Sequence, residues 1–235
     1  MLDLIAFDAD DTLWHNESLY ATMQDRFCGL LAPYGQDGQA LAELYQTEMR
    51  NLPHYGYGIK SFGLSMIESA IRLTERRISA AEIEQIVGLI KEMTRTPVRL
   101  LDGVSDAVAA LAASHPLMLI TKGDLLDQER KLAQSGLAPH FSHVEIVSKK
   151  SVDVYRALLA RHGIAPHRFL MIGNSLRSDV LPVVALGGHA VHIPYHITWA
   201  HESVDDGESL PDGYVELKHI GLLAPFVEAL GQEVR

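Results

Sequence analysis

A short apolar run near the start of the chain leads directly into a group of carboxylates. Leu4–Phe7 has the character of a strand that is buried on both faces, as in parallel sheets. Asp8, Asp10 and Asp11 follow within four positions, and because carboxylates are disfavoured inside strands, we expect the strand to end near Asp8. Three crowded anions repel one another unless a cation lies among them. The stretch therefore predicts a strand end that binds a divalent cation rather than an ordinary acidic turn.

The composition indicates an acidic globular protein. The 235 residues are 47% hydrophobic and 21% charged, which is enough apolar material for one large domain or a core domain with a smaller one. A net charge of −10 disfavours nucleic acid and anionic membranes as partners, since both attract clustered lysine and arginine. The single cysteine, Cys28, cannot form an intramolecular disulfide, and no apolar run approaches the ~18 residues of a membrane span. We therefore expect a cytoplasmic protein that binds neither nucleic acid nor a membrane.

Residues 15–97 show helical periodicity without any strand pattern. The first expected helix begins near Asn16, and the second is stopped by Pro53 and the Gly56/Gly58 pair. The third is expected over residues 60–77, and the fourth begins with the capping-box pattern of Ser79 and Glu82. This block predicts an all-helical insert.

The rest of the chain alternates strands and helices. Strands are expected at residues 117–120, 143–147, 168–172, 190–193 and 214–217. Such alternation indicates right-handed βαβ units and a parallel sheet with helices on both faces. The predicted fold is α/β, with a Rossmann-like doubly wound parallel sheet. Residues 1–14 and 98–235 are its core domain, and residues 15–97 are the inserted helical domain.

Polar side chains follow four of the predicted strands. They are Asp8 with Asp10, then Thr121, then Lys149 with Lys150, and finally Asn174 with Asp179. In open α/β sheets, ligands bind beyond the carboxyl ends of the strands, where the strand order reverses. The four strand ends therefore predict a single site.

These residue types fit the hydrolysis of a phosphate ester. A carboxylate about 4 Å from a phosphate is repelled by about 4 kcal/mol near a protein surface, and a bridging Mg²⁺ reverses that sign. Attack by Asp8 would give an aspartyl-phosphate, while Asp10 would protonate the leaving alcohol and then deprotonate water. Thr121 would donate its hydroxyl to a phosphate oxygen, and a lysine would neutralise the shared charge. Hard oxygen ligands suit Mg²⁺.

The motifs resemble those of the haloacid dehalogenase-like hydrolase superfamily over nearly the whole chain. The family's Asp-x-Asp-x-Thr matches residues 8–12, and its second motif matches Thr121, followed by Lys122-Gly123 where the family often has Asn-Gly. The resemblance implies that these three residues bind substrate. The third motif is a lysine that opens a helix. The common family spacing favours Lys149, whereas a shorter spacing also seen in the family favours Lys150, which we prefer.

The fourth family motif is Gly-Asp-(x)4-Asp, and this chain has Asn174 in place of the first acid. An amide oxygen can still ligate Mg²⁺, directly or through water, but it brings no charge. The resemblance implies that Asp8, Asn174, Asp179 and the main-chain carbonyl of Asp10 are the metal ligands. Asp11 is expected to be a turn residue.

The resemblance implies a Mg²⁺-dependent phosphomonoesterase that acts on a small phosphorylated metabolite. The helical insert occupies the place of the family's cap, which closes over the site and selects the substrate. The dehalogenases of the family lack the second acid because a halide leaving group needs no proton, so Asp10 favours a phosphatase. Phosphonate-cleaving relatives need a cap lysine in an apolar setting, and neither Lys60 nor Lys91 has one.

Two alternatives stay open. One is a haloacid dehalogenase-type hydrolase. The other is a non-catalytic protein of the same fold that binds phosphate ligands, to which only Asn174 points. The oligomeric state, monomer or homodimer, is also open.

Overall fold

The computed structural model describes residues 2–202 and 213–233. The chain divides into two compact units. Residues 1–17, 98–121 and 131–235 form the sheet unit, and residues 18–97 and 122–130 form the helical unit. Residues 122–130, which the sequence assigned to the core domain, are thus grouped with the helices. The division into core and cap domains stays a prediction.

Within the described residues, six strands form one sheet in the order β3-β2-β1-β4-β5-β6. The strands are β1 (Leu4–Phe7), β2 (Leu117–Lys122), β3 (His143–Val147), β4 (Phe169–Gly173), β5 (His189–His192) and β6 (Tyr214–Glu216). β1 pairs in parallel with β2 and β4, as do β4 with β5 and β5 with β6. The predicted α/β parallel fold is confirmed.

The position of β1 in the sheet determines where a ligand would bind. β1 and β4 are buried along their whole length, which explains their continuous apolar composition. From β1 the chain continues to β2 and β3 on one side, and later to β4, β5 and β6 on the other. The strand order therefore reverses between β1 and β4. The carboxyl ends of these two strands form the crevice in which open α/β sheets bind ligands.

The helical unit contains α1 (Glu17–Leu31, whose first residue lies in the sheet unit), α2 (Asp37–Tyr55), α3 (Ile59–Leu73) and α4 (Ala80–Arg95). These helices share a core of their own, which includes Met23, Phe27, Phe62, Met66 and Ile86. The capping box at the start of α4 is confirmed, because Ser79 accepts from the Glu82 N–H and Glu82 accepts from the Ser79 N–H.

One of the predicted helix ends is confirmed and one is wrong. α2 ends at Tyr55, between Pro53 and the Gly56/Gly58 pair, with Gly56 as its C-cap; Pro53 lies in its last turn although it has no N–H to donate to the helix. α3 ends at Leu73 rather than at residue 77. The reason lies in the next three residues: Thr74 donates its hydroxyl to the Ala70 carbonyl at 2.8 Å, and Glu75 and Arg76 both adopt positive φ.

Helices cover both faces of the sheet. They are α5 (Val104–Ala112), α6 (Leu125–Ser135), α7 (Val152–His162), α8 (Leu181–Val184) and α9 (Leu223–Glu233). Ile5 and Phe7 of β1 pack in one hydrophobic core with residues of α5 and α9. Leu4 and Ala6, which point to the opposite face, pack in another core with residues of α7 and α8. In the part of the chain that the structure describes, no helix is long and apolar enough to cross a membrane.

Candidate active site

The loop after β1 is fixed by short hydrogen bonds. The Asp8 N–H still donates to the Ile172 carbonyl of β4 at 2.8 Å, as a sheet residue would. The chain then turns, and the Leu13 N–H donates to the Ala9 carbonyl at 2.8 Å. Thr12 closes the turn by donating its hydroxyl to Asp8 Oδ2 at 3.2 Å. The Asp8 side chain is therefore held at the carboxyl end of β1.

Asp11 lies in the turn, with a positive φ of 62° that suits an aspartate. Its side chain is buried, and its Oδ1 accepts the N–H groups of Asn16 and Glu17 at 2.8 and 3.1 Å. These two donors lie at the start of α1, where backbone N–H groups have no partner within the helix. Asp11 thus fixes the direction in which the chain leaves the site.

Lys150 lies between two buried carboxylates. Ser151 is the N-cap of α7, so Lys150 directly precedes the helix and its side chain is only 1% exposed. Its ammonium donates to Asp8 Oδ1 and, at 2.6 Å, to Asp179 Oδ1. Lys149, the other candidate from the sequence, is exposed. The structure therefore brings Lys150, and not Lys149, to Asp8.

Burial and ion pairing have opposite effects on the pKa values of Asp8 and Lys150. Burial raises the pKa of Asp8 to about 7, although the Lys150 ammonium opposes that shift. Burial also disfavours the charged form of Lys150, but Asp179 and Asp8 outweigh it and raise the pKa of that lysine above its usual range. Removing either partner would leave a buried charge without compensation.

The segment after β4 turns back on itself to present Asp179. Residues Leu176–Val180 form a π-helical turn, and the Ser175 N–H donates to Asp179 Oδ2 at 3.1 Å. A Cβ on Gly173 would lie 2.2 Å from that same oxygen, so this close approach requires glycine. The π-helical turn leads directly into the short helix α8.

Asn174 completes a group of oxygen atoms at the end of β1. Its side-chain oxygen lies 3.2 Å from three atoms: Asp8 Oδ2, the Asp10 carbonyl oxygen and the Thr12 hydroxyl. The first two cannot donate a hydrogen bond. The amide could turn over and donate its N–H to the same atoms. Alternatively, a cation could be shared by the oxygens, since neighbouring ligands in an octahedron with Mg–O bonds of about 2.0–2.1 Å lie about 3 Å apart.

This group of oxygen atoms thus fits Mg²⁺, and binding of the ion would depend partly on oxygens that carry no charge. Among residues 2–202 and 213–233, no three side chains of His, Cys, Asp or Glu are placed to bind a metal together. The amide of Asn174 and the main-chain carbonyl of Asp10 would have to contribute alongside Asp8. The role of Asp179 as a ligand stays a prediction, because its Oδ1 accepts from Lys150.

The Asp10 carboxylate is held by hydrogen bonds of its own. Its Oδ1 accepts the indole N–H of Trp14 at 2.7 Å and the ammonium of Lys131 at 2.9 Å. The Asp10 carbonyl oxygen would therefore serve the metal, while its carboxylate is oriented separately.

The family model described as a haloacid dehalogenase-like hydrolase matches residues 2–187. The chain belongs to the haloacid dehalogenase-like hydrolase family. A haloacid dehalogenase-like family hydrolase from Xanthomonas campestris is 41% identical, with a TM-score of 0.87 over 99% of this chain and 93% of that one. A comparison with curated proteins gave no match.

More distant members of the family share the fold but differ in the reaction that they are named for. A predicted phosphoglycolate phosphatase from Haemophilus somnus is 17% identical, with a TM-score of 0.63 over 96% of this chain and 98% of its own. An L-2-haloacid dehalogenase from Xanthobacter autotrophicus is 14% identical, with a TM-score of 0.67 over 98% and 100%. The hydrolase fold therefore does not decide between phosphate esters and haloacids.

The second motif of the hydrolase family lies at the end of β2. Thr121 is buried in the sheet unit. Lys122 and Gly123 belong to the helical unit, where the Lys122 ammonium lies 4.5 Å from the centre of the Tyr57 ring. The Lys122 carbonyl accepts from Gln128 at 3.0 Å. The role of these three residues in substrate binding stays a prediction.

Three further residues support the hydrolase site without any signal in the sequence. Lys131 contacts Asp10 across 121 residues. Glu202 accepts from the hydroxyls of Ser175 and Ser178, each at 2.5 Å. His192 lies 3.0 Å from the Asn174 carbonyl and 2.9 Å from Glu216. None of the three residues lies at a regular spacing from a family motif, so the sequence did not indicate their place at the site.

Proposed function

We propose that this hydrolase is a Mg²⁺-dependent phosphomonoesterase that acts on a small phosphorylated metabolite through an aspartyl-phosphate on Asp8. The observation that carries the proposal is the pair of carboxylates after β1. Asp8 meets an ammonium in a buried setting, while Asp10, two residues on, presents a second carboxylate. An alkoxide leaving group needs a proton and a halide does not, so the second acid supports phosphate-ester chemistry.

The residues act in two steps. In the first, an oxygen of Asp8 forms a bond to phosphorus while the bond from phosphorus to the ester oxygen breaks, and Asp10 gives its proton to the departing alcohol. In the second, Asp10 takes a proton from water as the water oxygen attacks the phosphorus. The phosphorus–Asp8 bond then breaks and inorganic phosphate is released. Mg²⁺, when bound, supplies positive charge that offsets the repulsion between Asp8 and the phosphate.

Lys150 supports both steps from a fixed position. Its ammonium is buried and touches Asp8, so it neutralises charge that the carboxylate and the phosphoryl group share. Asp179 orients the ammonium from the other side at 2.6 Å. The nucleophile therefore needs little rearrangement before attack.

The proposal is tested by phosphate release from para-nitrophenyl phosphate and from a panel of sugar phosphates and nucleotides. We expect release with Mg²⁺ and none after treatment with EDTA. A haloacid dehalogenase is the second candidate, because some distant relatives are named as dehalogenases and Asn174 carries no charge. This candidate predicts metal-independent halide release from a 2-haloacid. Ligand binding without turnover across the panel would instead favour a non-catalytic phosphate-binding protein.

A further inference from the structure

Lys131 is a buried lysine that donates to the chain just after β1. It lies within α6, and its side chain is 7% exposed. Its ammonium donates to Asp10 Oδ1 at 2.9 Å and to Asn16 Oδ1 at 2.8 Å. Burying an ammonium is unfavourable unless it is paired and hydrogen-bonded, and these two oxygens supply that compensation.

The same Asp10 oxygen accepts a second donor from a rigid group. Trp14 is almost completely buried, and its indole N–H lies 2.7 Å from Asp10 Oδ1. Its backbone is fixed as well, since the Asp11 N–H donates to the Trp14 carbonyl at 2.7 Å. Two donors on one oxygen, each from a buried side chain, fix the rotation of the carboxylate.

We infer that Lys131, together with Trp14, is a positioning residue that orients the Asp10 carboxylate for proton transfer to the leaving group. The inference rests on the proposed phosphomonoesterase function and adds a residue to it. Lys131 donates to Asp10 and to Asn16, and it acts through Asp10. Asn16 is a second acceptor that helps to keep the ammonium in place.

This role has a signature that a purely structural role lacks. A nitrophenolate departs readily as an anion, whereas the alkoxide of glycerol phosphate needs a proton as it leaves. The value of kcat/KM reports the steps up to release of the alcohol, in which Asp10 acts as the acid. A misplaced Asp10 therefore slows the alkyl ester much more than the aryl ester.

The experiment compares the full chain with Lys131→Met on para-nitrophenyl phosphate and glycerol phosphate in the presence of Mg²⁺. We expect kcat/KM to fall about tenfold more for glycerol phosphate than for the aryl ester, which is below the about 10²–10⁴-fold that acid–base catalysis contributes in full, because Asp10 is misplaced and not removed. Lys131→Arg should recover part of the loss. Lys218→Met, at an exposed lysine of the sheet unit, should leave both values unchanged.

A double variant checks that the effect passes through Asp10. In an Asp10→Asn background, Lys131→Met should not change the ratio of the two kcat/KM values any further. If Lys131→Met does not unfold cooperatively, Asn16→Ala replaces it, because that change removes the second oxygen that holds the ammonium. The same excess loss on the alkyl ester is then expected, at a smaller size.

Equal losses on both esters, or a gain on glycerol phosphate, would overturn the inference and leave the proposed function standing. If the wild-type chain releases no phosphate from either ester, the proposed function fails, and the inference fails with it. The wild-type measurement therefore separates the two.

Discussion

Asp8 and Asp10 lie two residues apart in the same loop, and each contacts a lysine, but their surroundings differ. The Asp8 side chain is 10% exposed and shares the Lys150 ammonium with a second buried carboxylate, Asp179. The Asp10 side chain is 23% exposed, and its lysine is shared with a neutral amide. A nucleophile must be held still and shielded from water, whereas a group that exchanges protons needs access to the substrate and to water. The two environments are those that the roles proposed for Asp8 and Asp10 require.

The largest expected effect comes from removing the two acids one at a time. Asp8→Asn removes the nucleophile, so we expect phosphate release to fall by about 10⁴-fold or more with every ester. Asp10→Asn should retain more activity, and mostly with para-nitrophenyl phosphate, since that leaving group needs less assistance. Steady-state kinetics on one aryl and one alkyl ester measure both losses. If Asp8→Asn keeps wild-type activity, the assignment of the nucleophile is wrong.

The second prediction concerns Lys150, the lysine that contacts Asp8. Lys150→Met leaves Asp8 and Asp179 facing each other without a cation, and breaking a buried pair costs about 3–5 kcal/mol. We expect a loss of that size in the free energy of unfolding in urea, together with a loss of about 10²-fold or more in kcat.

Lys149→Met is the matched control for that change. Lys149 is its exposed neighbour, so the substitution should change the free energy of unfolding by less than about 0.5 kcal/mol and leave kcat unaltered. A large loss of activity in Lys149→Met, with none in Lys150→Met, would reverse the assignment of the third motif.

The contrast between the two lysines also shows what a sequence can predict. β1, the parallel sheet and the residues at its strand ends could be predicted, because buried strands and their polar ends leave a local pattern. The family spacing alone could not separate Lys149 from Lys150. The start of α7 decides this, since Ser151 caps the helix and the residue before it points inward.

Lys131 shows the opposite case. It lies in the middle of an ordinary helical pattern, and only the packing of α6 against the loop after β1 brings it to Asp10. Contacts between residues that are far apart in the chain arise from tertiary structure, which a single sequence does not encode as a local signal. The end of α3 was mispredicted because the apolar pattern shows neither the Thr74 side-chain hydrogen bond nor the positive φ of Glu75 and Arg76.

The third prediction has a smaller expected effect and concerns Asn174, which follows β4 and contacts Thr12 in the loop after β1. Asn174→Asp adds a charge to the oxygens around Asp8 and the Asp10 carbonyl, and a metal ion gains from an additional anionic ligand. We expect the Mg²⁺ concentration for half-maximal activity to fall by about tenfold, which is within the about 10–100-fold range seen when metal surroundings change. A Mg²⁺ titration of phosphate release measures it.

The matched control for Asn174 is Gln134→Glu, which adds a carboxylate at an exposed position of the sheet unit and not among the candidate ligands. It should leave the Mg²⁺ requirement unchanged. If Asn174→Asp also leaves the requirement unchanged, Asn174 is not near the metal, and the candidate ligand set must be revised.

The smallest expected effect belongs to Asp11, the third carboxylate of the loop, which contacts neither lysine in the described hydrogen bonds. Its side chain accepts two N–H groups at the start of α1, so Asp11→Ala leaves them without that partner. Loss of a capping side chain costs about 1 kcal/mol, and alanine fits the positive φ of this position less well than aspartate, so we expect a decrease of about 1–2 kcal/mol in the free energy of unfolding. Glu84→Ala, at an exposed position within α4, is the control and should change it by less than about 0.5 kcal/mol. A loss of phosphate release in Asp11→Ala that exceeds its loss of stability would mean that the turn at Asp11 also sets the geometry of Asp8 and Asp10.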